Sequence, residues 1–316
     1  MSSNKGSFAL TAFFSGLFHN FPKLLLTNLY FAVPSAVFFA VFWFINSLFK
    51  INSNFVLFLT VIPLFPFYAG VVQVTSHIVR GDDGINVWSN YTAGVKENFV
   101  RFLIHGVILY AAILFSYFSI KMYVSLGAEN GIFYMLLVIS VLICIFFLFV
   151  FYYVPSMTVT FDISMKNIYK NSALMSFGEL KHNIIATFGV IVLFLLCATV
   201  LMCCYLPAII ITVTFLLALF IVPSIMSYII NSAVYKPMYD IIVGKNKKSN
   251  EIENKINDAQ SDFAESKNRS KNNSYDFSTL DIDESGDADE YIYYNGKMIK
   301  RGVLLQMKDK KTEKGG

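Results

Sequence analysis

Four histidines, His19, His77, His105 and His182, sit near the ends of apolar runs in this 316-residue chain. Imidazoles gathered on one side of a membrane would suit a transition metal. None stands in HxxxH or HxxE spacing with a second ligand, so they read as satisfied histidines at helix ends. Asp82 and Asp83, directly after Arg80-Gly81, have the composition of an acid–base pair. They have no third partner at fixed spacing, and the chain carries neither a glycine-rich phosphate loop nor a nucleophile elbow. A solvated turn is the expectation, with Gly81 and Gly84 supplying permissive backbone. Cys144, Cys197, Cys203 and Cys204 lie in or beside apolar runs without zinc or disulfide spacing. The reading is a non-enzymatic chain with no catalytic residue, metal or cofactor.

The elements around these residues are set by composition. The chain is 56% hydrophobic and 15% charged, against roughly 25% charged in soluble domains. Runs at about 24–49, 55–74, 102–123, 131–154, 184–205 and 206–230 each reach the roughly 20 residues that a hydrocarbon core requires. The sequence therefore predicts an all-α integral membrane protein of six helices in three hairpins. Its N-terminus shows no small-residue cleavage site, so no signal peptide is expected to be removed. Lys5, Lys23, Arg80, Lys96, Arg101, Lys166, Lys170, Lys181, Lys236, Lys245, Lys247 and Lys248 fall on one side, against Lys50 and Lys121 on the other. By the positive-inside rule that side is cytosolic and holds both termini. The net +4 is thus an orientation signal rather than a nucleic-acid footprint.

Each odd-numbered span is preceded by a segment of mixed polarity ending in Asn and an apolar residue, at Asn20, Asn98 and Asn183. These suggest a threefold internal repeat of hairpins, each introduced by an amphipathic interfacial helix. Trp88, Tyr91 and Val95 would line one face of the second such helix, and Ile163, Ile168, Ala173, Leu174 and Phe177 one face of the third. Such helices could anchor passively or dock a soluble protein. Val154-Pro155-Ser156, Val222-Pro223-Ser224, Pro63 and Pro66 point to kinked, mutually packed even-numbered spans. Pro34, in the first span, breaks that pattern.

Only Lys121, at an outer end, is ionisable within the spans, which argues against an ion-coupled pump or voltage sensor. Asn46, Ser116, Ser119, Ser140, Thr187, Thr199, Thr212 and Thr214 could line a route for a neutral solute or simply bond between helices. The domain reading is a membrane domain over 1–243, a polar disordered linker over 244–290, and over 291–316 a hairpin signal with a basic tail. In that signal two β-prone runs flank Asn295-Gly296, and a lone hairpin needs a partner or surface to be stable.

Arg80-Gly81, Trp88, Tyr91, Gly94, Lys96, Asn98 and Phe99, then Pro155, Phe161, Asp162, Lys166, Asn171 and Ala173, resemble the YesL-like family of predicted bacterial membrane proteins. The resemblance covers about 7–243 and departs from the family at Asn90 and Thr160, where relatives often carry an acid and an arginine. It implies a multi-spanning protein of a Gram-positive cell membrane, often encoded beside carbohydrate importers. The expected function is an accessory or regulatory subunit of a carbohydrate ABC importer, with the lipid bilayer and importer subunits as partners. The docking candidates are Arg80, Gly81, Trp88, Tyr91, Lys96, Asn98, Phe99, Arg101, Asp162, Lys166, Tyr293 and Tyr294. A permease for a neutral sugar or oligosaccharide is the alternative.

Overall fold

The structure, a computed structural model, describes residues 10–50, 53–82, 84–264, 286–294 and 297–305. In order these form α1 (Leu10–His19), α2 (Phe21–Leu48), α3 (Asn54–Phe58), α4 (Val61–Arg80), α5 (Val87–Glu129), α6 (Phe133–Thr160), α7 (Met165–Gly178), α8 (Leu180–Met202), α9 (Pro207–Phe220), α10 (Val222–Ala264), β1 (Tyr291–Tyr294) and β2 (Lys297–Lys300). Five stretches are long and apolar enough to cross a bilayer: α2, α3 with α4, α5, α6 and α8. The pair formed by α9 and the start of α10, bent by 45°, makes a sixth if counted as one crossing. The chain is a predominantly helical protein of multi-pass membrane type. It divides into two compact units, Met1–Met238 and Tyr239–Gly316.

In the first unit the second and fourth spans form the centre. Ten consecutive residues of α4, from Ala69 to Ile78, are buried, as are ten from Tyr152 to Phe161 at the end of α6. A helix buried on every side needs neighbours all round, and α2 and α5 provide two of them through single stripes. That of α2 is Leu24, Thr27, Asn28, Phe31, Ala32 and Ser35, at i, i+3, i+4, i+7, i+8 and i+11. Lipid tails are as apolar as leucine, so burial alone does not pull such helices together; close backbone approach and interhelical hydrogen bonds do. A Cβ on Gly94 would stand 2.6 Å from Gln73 Cβ, and one on Gly106 2.9 Å from Phe65 Cβ. α4 and α5 therefore meet at near-backbone contact.

The interfacial helices differ from the sequence expectation. α1 does end before its span: the Asn20 amide donates to Gly16 O at 3.0 Å, and Pro22 stands at the start of α2. α7 and α8 are parted at Glu179, where the Asn183 amide donates to the carbonyls of Ser176 and Met175. The second is not a separate helix, because α5 runs unbroken for 43 residues. Its buried stripe, Val87, Tyr91, Gly94, Asn98, Phe102, His105 and Gly106, keeps helical spacing straight through Asn98. The Asn98 amide still donates to Gly94 O at 3.0 Å, so all three repeat asparagines turn back on the preceding segment. On α7 the buried face is Ile168, Ser172, Met175 and Ser176, while Leu174 and Phe177 are exposed.

α4 stops at Gly81, whose φ of 78° is left-handed. Gly81 N–H donates to Ile78 O and Asp82 N–H to His77 O, at 3.1 and 3.2 Å. That is a Schellman closure, which favours glycine at this position. The reversal returns the Asp82 carboxylate to His77 Nδ1, at 2.7 Å, and to Arg80 Nε, at 3.3 Å. Gly81→Ala is expected to lower unfolding free energy by about 1 kcal/mol, the left-handed penalty of a Cβ. Denaturant titration of the purified protein measures it.

α10 continues past Gly244 to Ala264, twenty residues into the stretch read as unfolded. The segment holds four Lys beside four Asn, an ordinary rather than strong helix-forming composition, but adding residues to an existing helix avoids the costly first turn. In the second unit, β1 pairs antiparallel with β2, Tyr291 opposite Lys300 and Tyr294 opposite Lys297. The Asn295-Gly296 turn and most of the linker, 265–285, lie outside the described residues. Lys300 pairs with Asp289 at 2.8 Å and Arg301 with Glu290 at 2.7 Å, so these two acids just before β1 are tied to the hairpin's own end.

Candidate functional site

Pro223 near the start of α10 has no N–H, and the chain bends there. The break exposes carbonyls at the end of α9 and an amide at the start of α10, groups that need partners within an apolar layer. One side chain from α2 serves them. Asn28 Nδ2 donates to Phe220 O at 2.8 Å, Ile221 O at 3.1 Å and Ser224 Oγ at 2.7 Å. Its Oδ1 accepts from Ser224 N–H at 2.9 Å. Ser224 Oγ in turn donates to Leu24 O at 2.9 Å.

One turn further along α10 a second layer joins three spans. Ser227 Oγ lies 2.7 Å from Thr75 Oγ1 on α4, and Asn231 Nδ2 donates to that same threonine at 2.8 Å. Asn231 Oδ1 accepts from Ser156 of α6. Each Val-Pro-Ser serine thus meets an asparagine from another helix, Ser156 with Asn231 and Ser224 with Asn28. A third junction centres on buried His105. Thr158 gives its hydroxyl hydrogen to Val154 O at 2.7 Å, so it accepts from His105 Nε2 at 3.0 Å, leaving Nδ1 to accept from Tyr169 at 2.7 Å. Burial pushes the Tyr169 phenol above its ordinary range, which keeps it a donor.

Beside the second layer is a cavity of about 470 Å³, walled by every crossing: Phe31 of α2, Phe65 of α4, Leu109 of α5, Phe151 of α6, Phe194 of α8 and Met226 of α10. Its polar lining includes Ser156, Ser227 and Asn231, already engaged with one another or with Thr75. The wall is otherwise almost wholly carbon. Hydroxyls and amides of this kind can hydrogen-bond, but they form no nucleophile–base pair. Among the described residues no three His, Cys, Asp or Glu side chains converge as a metal site.

The docking candidates scatter. The Arg80 side chain is buried against Asp82, Tyr91 is buried across Gly70, and Asn98 is buried. They belong to the packing of α4 and α5. Gly81 is the helix stop. Trp88, Lys96 and Phe99 on α5 are exposed, as is Lys166 on α7. Arg101 and Asp162, 61 residues apart, meet at 3.4 Å. Tyr293 and Tyr294 lie in β1, and their side chains fall outside what is described. Of the eight neutral groups expected along a solute route, Ser116, Ser119 and Ser140 line a separate cavity of about 290 Å³ between α5 and α6, and none lines the large one. Thr199, Thr212 and Thr214 bond their own helix carbonyls, and Thr187 meets Tyr152 at 3.1 Å.

Asn28, Thr75, Ser227 and Asn231 were not singled out from sequence. The available signal was Ser224, Ser227 and Asn231 at i, i+3 and i+7 of an apolar helix, one polar stripe that requires partners. No curated protein and no solved structure matches this chain. Residues 24–120, which include Asn28, the α4 core and about the first four-fifths of α5, match the model of a family described as "Protein of unknown function, DUF624".

Proposed function

We propose that this chain is a non-enzymatic multi-pass protein of a bacterial cell membrane, with both termini cytosolic. It serves as an accessory or regulatory subunit beside a carbohydrate ABC importer. The carbohydrate association comes from the YesL-like resemblance, and the orientation from the basic loops. The observation that favours a subunit over a sugar pathway is the wall of the large cavity. Sugar hydroxyls need polar partners along their way, and the serines and asparagine there already bond their neighbours. Exposed Lys166 and Phe177 on α7 offer a basic and apolar surface to a neighbouring chain. The permease reading draws support from the break between α9 and α10, since discontinuous helices often mark transport sites.

Two measurements separate them. A photoreactive residue at Phe177 in native membranes should crosslink to the importer's membrane subunit, while proteoliposomes of the purified protein should show no flux of labelled oligosaccharide. ATP-independent flux without a crosslink would reverse the assignment.

A further inference from the structure

We propose that the groove between α2, α4 and the beginning of α5 binds one anionic phospholipid. The groove, about 330 Å³, runs from Val33, Pro34 and Phe67 to Trp88, Tyr91 and Lys96. Two separate features select that occupant. Its apolar end takes an acyl chain: Val33, Pro34 and Phe67 offer carbon, and Phe67 leads on to the rings of Phe38 and Phe99. Its other end carries an exposed ammonium, Lys96, paired with no carboxylate among the described residues, so the charge complements a phosphodiester. The ring of Tyr91, 5% exposed, walls the groove with carbon.

The level is also right. Arg101 pairs with Asp162 just beyond the end of α6, which marks where that span leaves the apolar layer. Lys96 precedes Arg101 by five residues, about 7.5 Å of helical rise, and so stands at headgroup height. Trp88, stacked edge-on against Tyr30 at 4.9 Å, belongs to the amphipathic ring class that favours this zone. Trp88 and Lys96, which read from sequence as protein-docking residues, thereby become contacts for a lipid. This assignment does not depend on the importer-subunit reading.

The test uses the full-length protein reconstituted in equal parts phosphatidylglycerol and phosphatidylcholine, followed by native mass spectrometry. The wild type should retain one phosphatidylglycerol with about fivefold preference, the effect expected of one lysine near an anionic surface. Lys96→Gln should abolish the preference. Lys166→Gln, exposed elsewhere, should leave it unchanged. Equal retention of both lipids by the wild type overturns the proposal. So does an equal loss of preference in the Lys96 and Lys166 variants, which would indicate general surface charge. Displacement of the lipid by glycerol phosphate alone also overturns it, because the acyl chain would then contribute nothing.

Discussion

Asn28→Leu is expected to destabilise the purified protein by about 3 kcal/mol or more, the largest effect of any single polar substitution in the spans. Leucine has the same number of side-chain heavy atoms, branched at the same carbon, but offers neither donor nor acceptor. Two carbonyls, of Phe220 and Ile221, and the Ser224 amide would lose their partner together. Stranding a buried polar group costs about 1–3 kcal/mol. Ordinary interhelical bonds in membranes contribute less, about 0.6 kcal/mol on average, because side chains find other partners. The break differs in kind, since its backbone groups are fixed at a bend and Pro223 prevents them from closing a regular helix. Unfolding in increasing detergent denaturant, followed by circular dichroism, measures the loss. Thr212→Val is the control, because Thr212 is exposed and bonds only Ala208 O on its own helix; it should change stability by under about 0.5 kcal/mol. Equal behaviour of the two variants would show that Asn28 does not hold the break.

Gly94→Val should cost about 3 kcal/mol by a different route. The first added carbon would meet Gln73 Cβ at 2.6 Å and Ala69 O at 3.0 Å. The carbonyl belongs to a helix buried on all sides and cannot turn away, so α4 and α5 must part. Overpacking of a tight core costs about 1–3 kcal/mol, and here it also opens the contact that keeps Gly106 against Phe65. Gly178→Ala, at an open helix end with nothing within 4 Å of the new carbon, should be nearly neutral in the same titration. A Gly94 variant as stable as the Gly178 variant would mean that the two helices are not in backbone contact.

The helix ends show how far sequence reading carries. Hydropathy falls between residues 80 and 101, which suggested a short interfacial helix before the third span. Polarity does not end a helix; a proline, a left-handed residue or a change of register does. Pro22 follows Asn20, and Gly178 stands five residues before Asn183 where Gly16 and Gly94 stand four before their asparagines. Both of those junctions are broken, and the one at Asn98, with neither feature, is continuous. The same spacing argument applied to residues 87–106 would have shown the unbroken stripe. The prolines suggest kinked, mutually packed even-numbered spans, but that the second and fourth are buried on all sides is set by the tertiary packing.

Residue order alone determined where apolar helices lie, which loops carry the basic charge and which residues punctuate the turns, because these depend on neighbours within a few positions. Tertiary structure decided which polar groups matter. Asn28 and Ser224 stand 196 positions apart and Arg101 and Asp162 61 apart. No local pattern distinguishes a side chain that caps a distant break from one that bonds its own helix. That distinction rests on the partner's position, and the packing of the spans is what sets it.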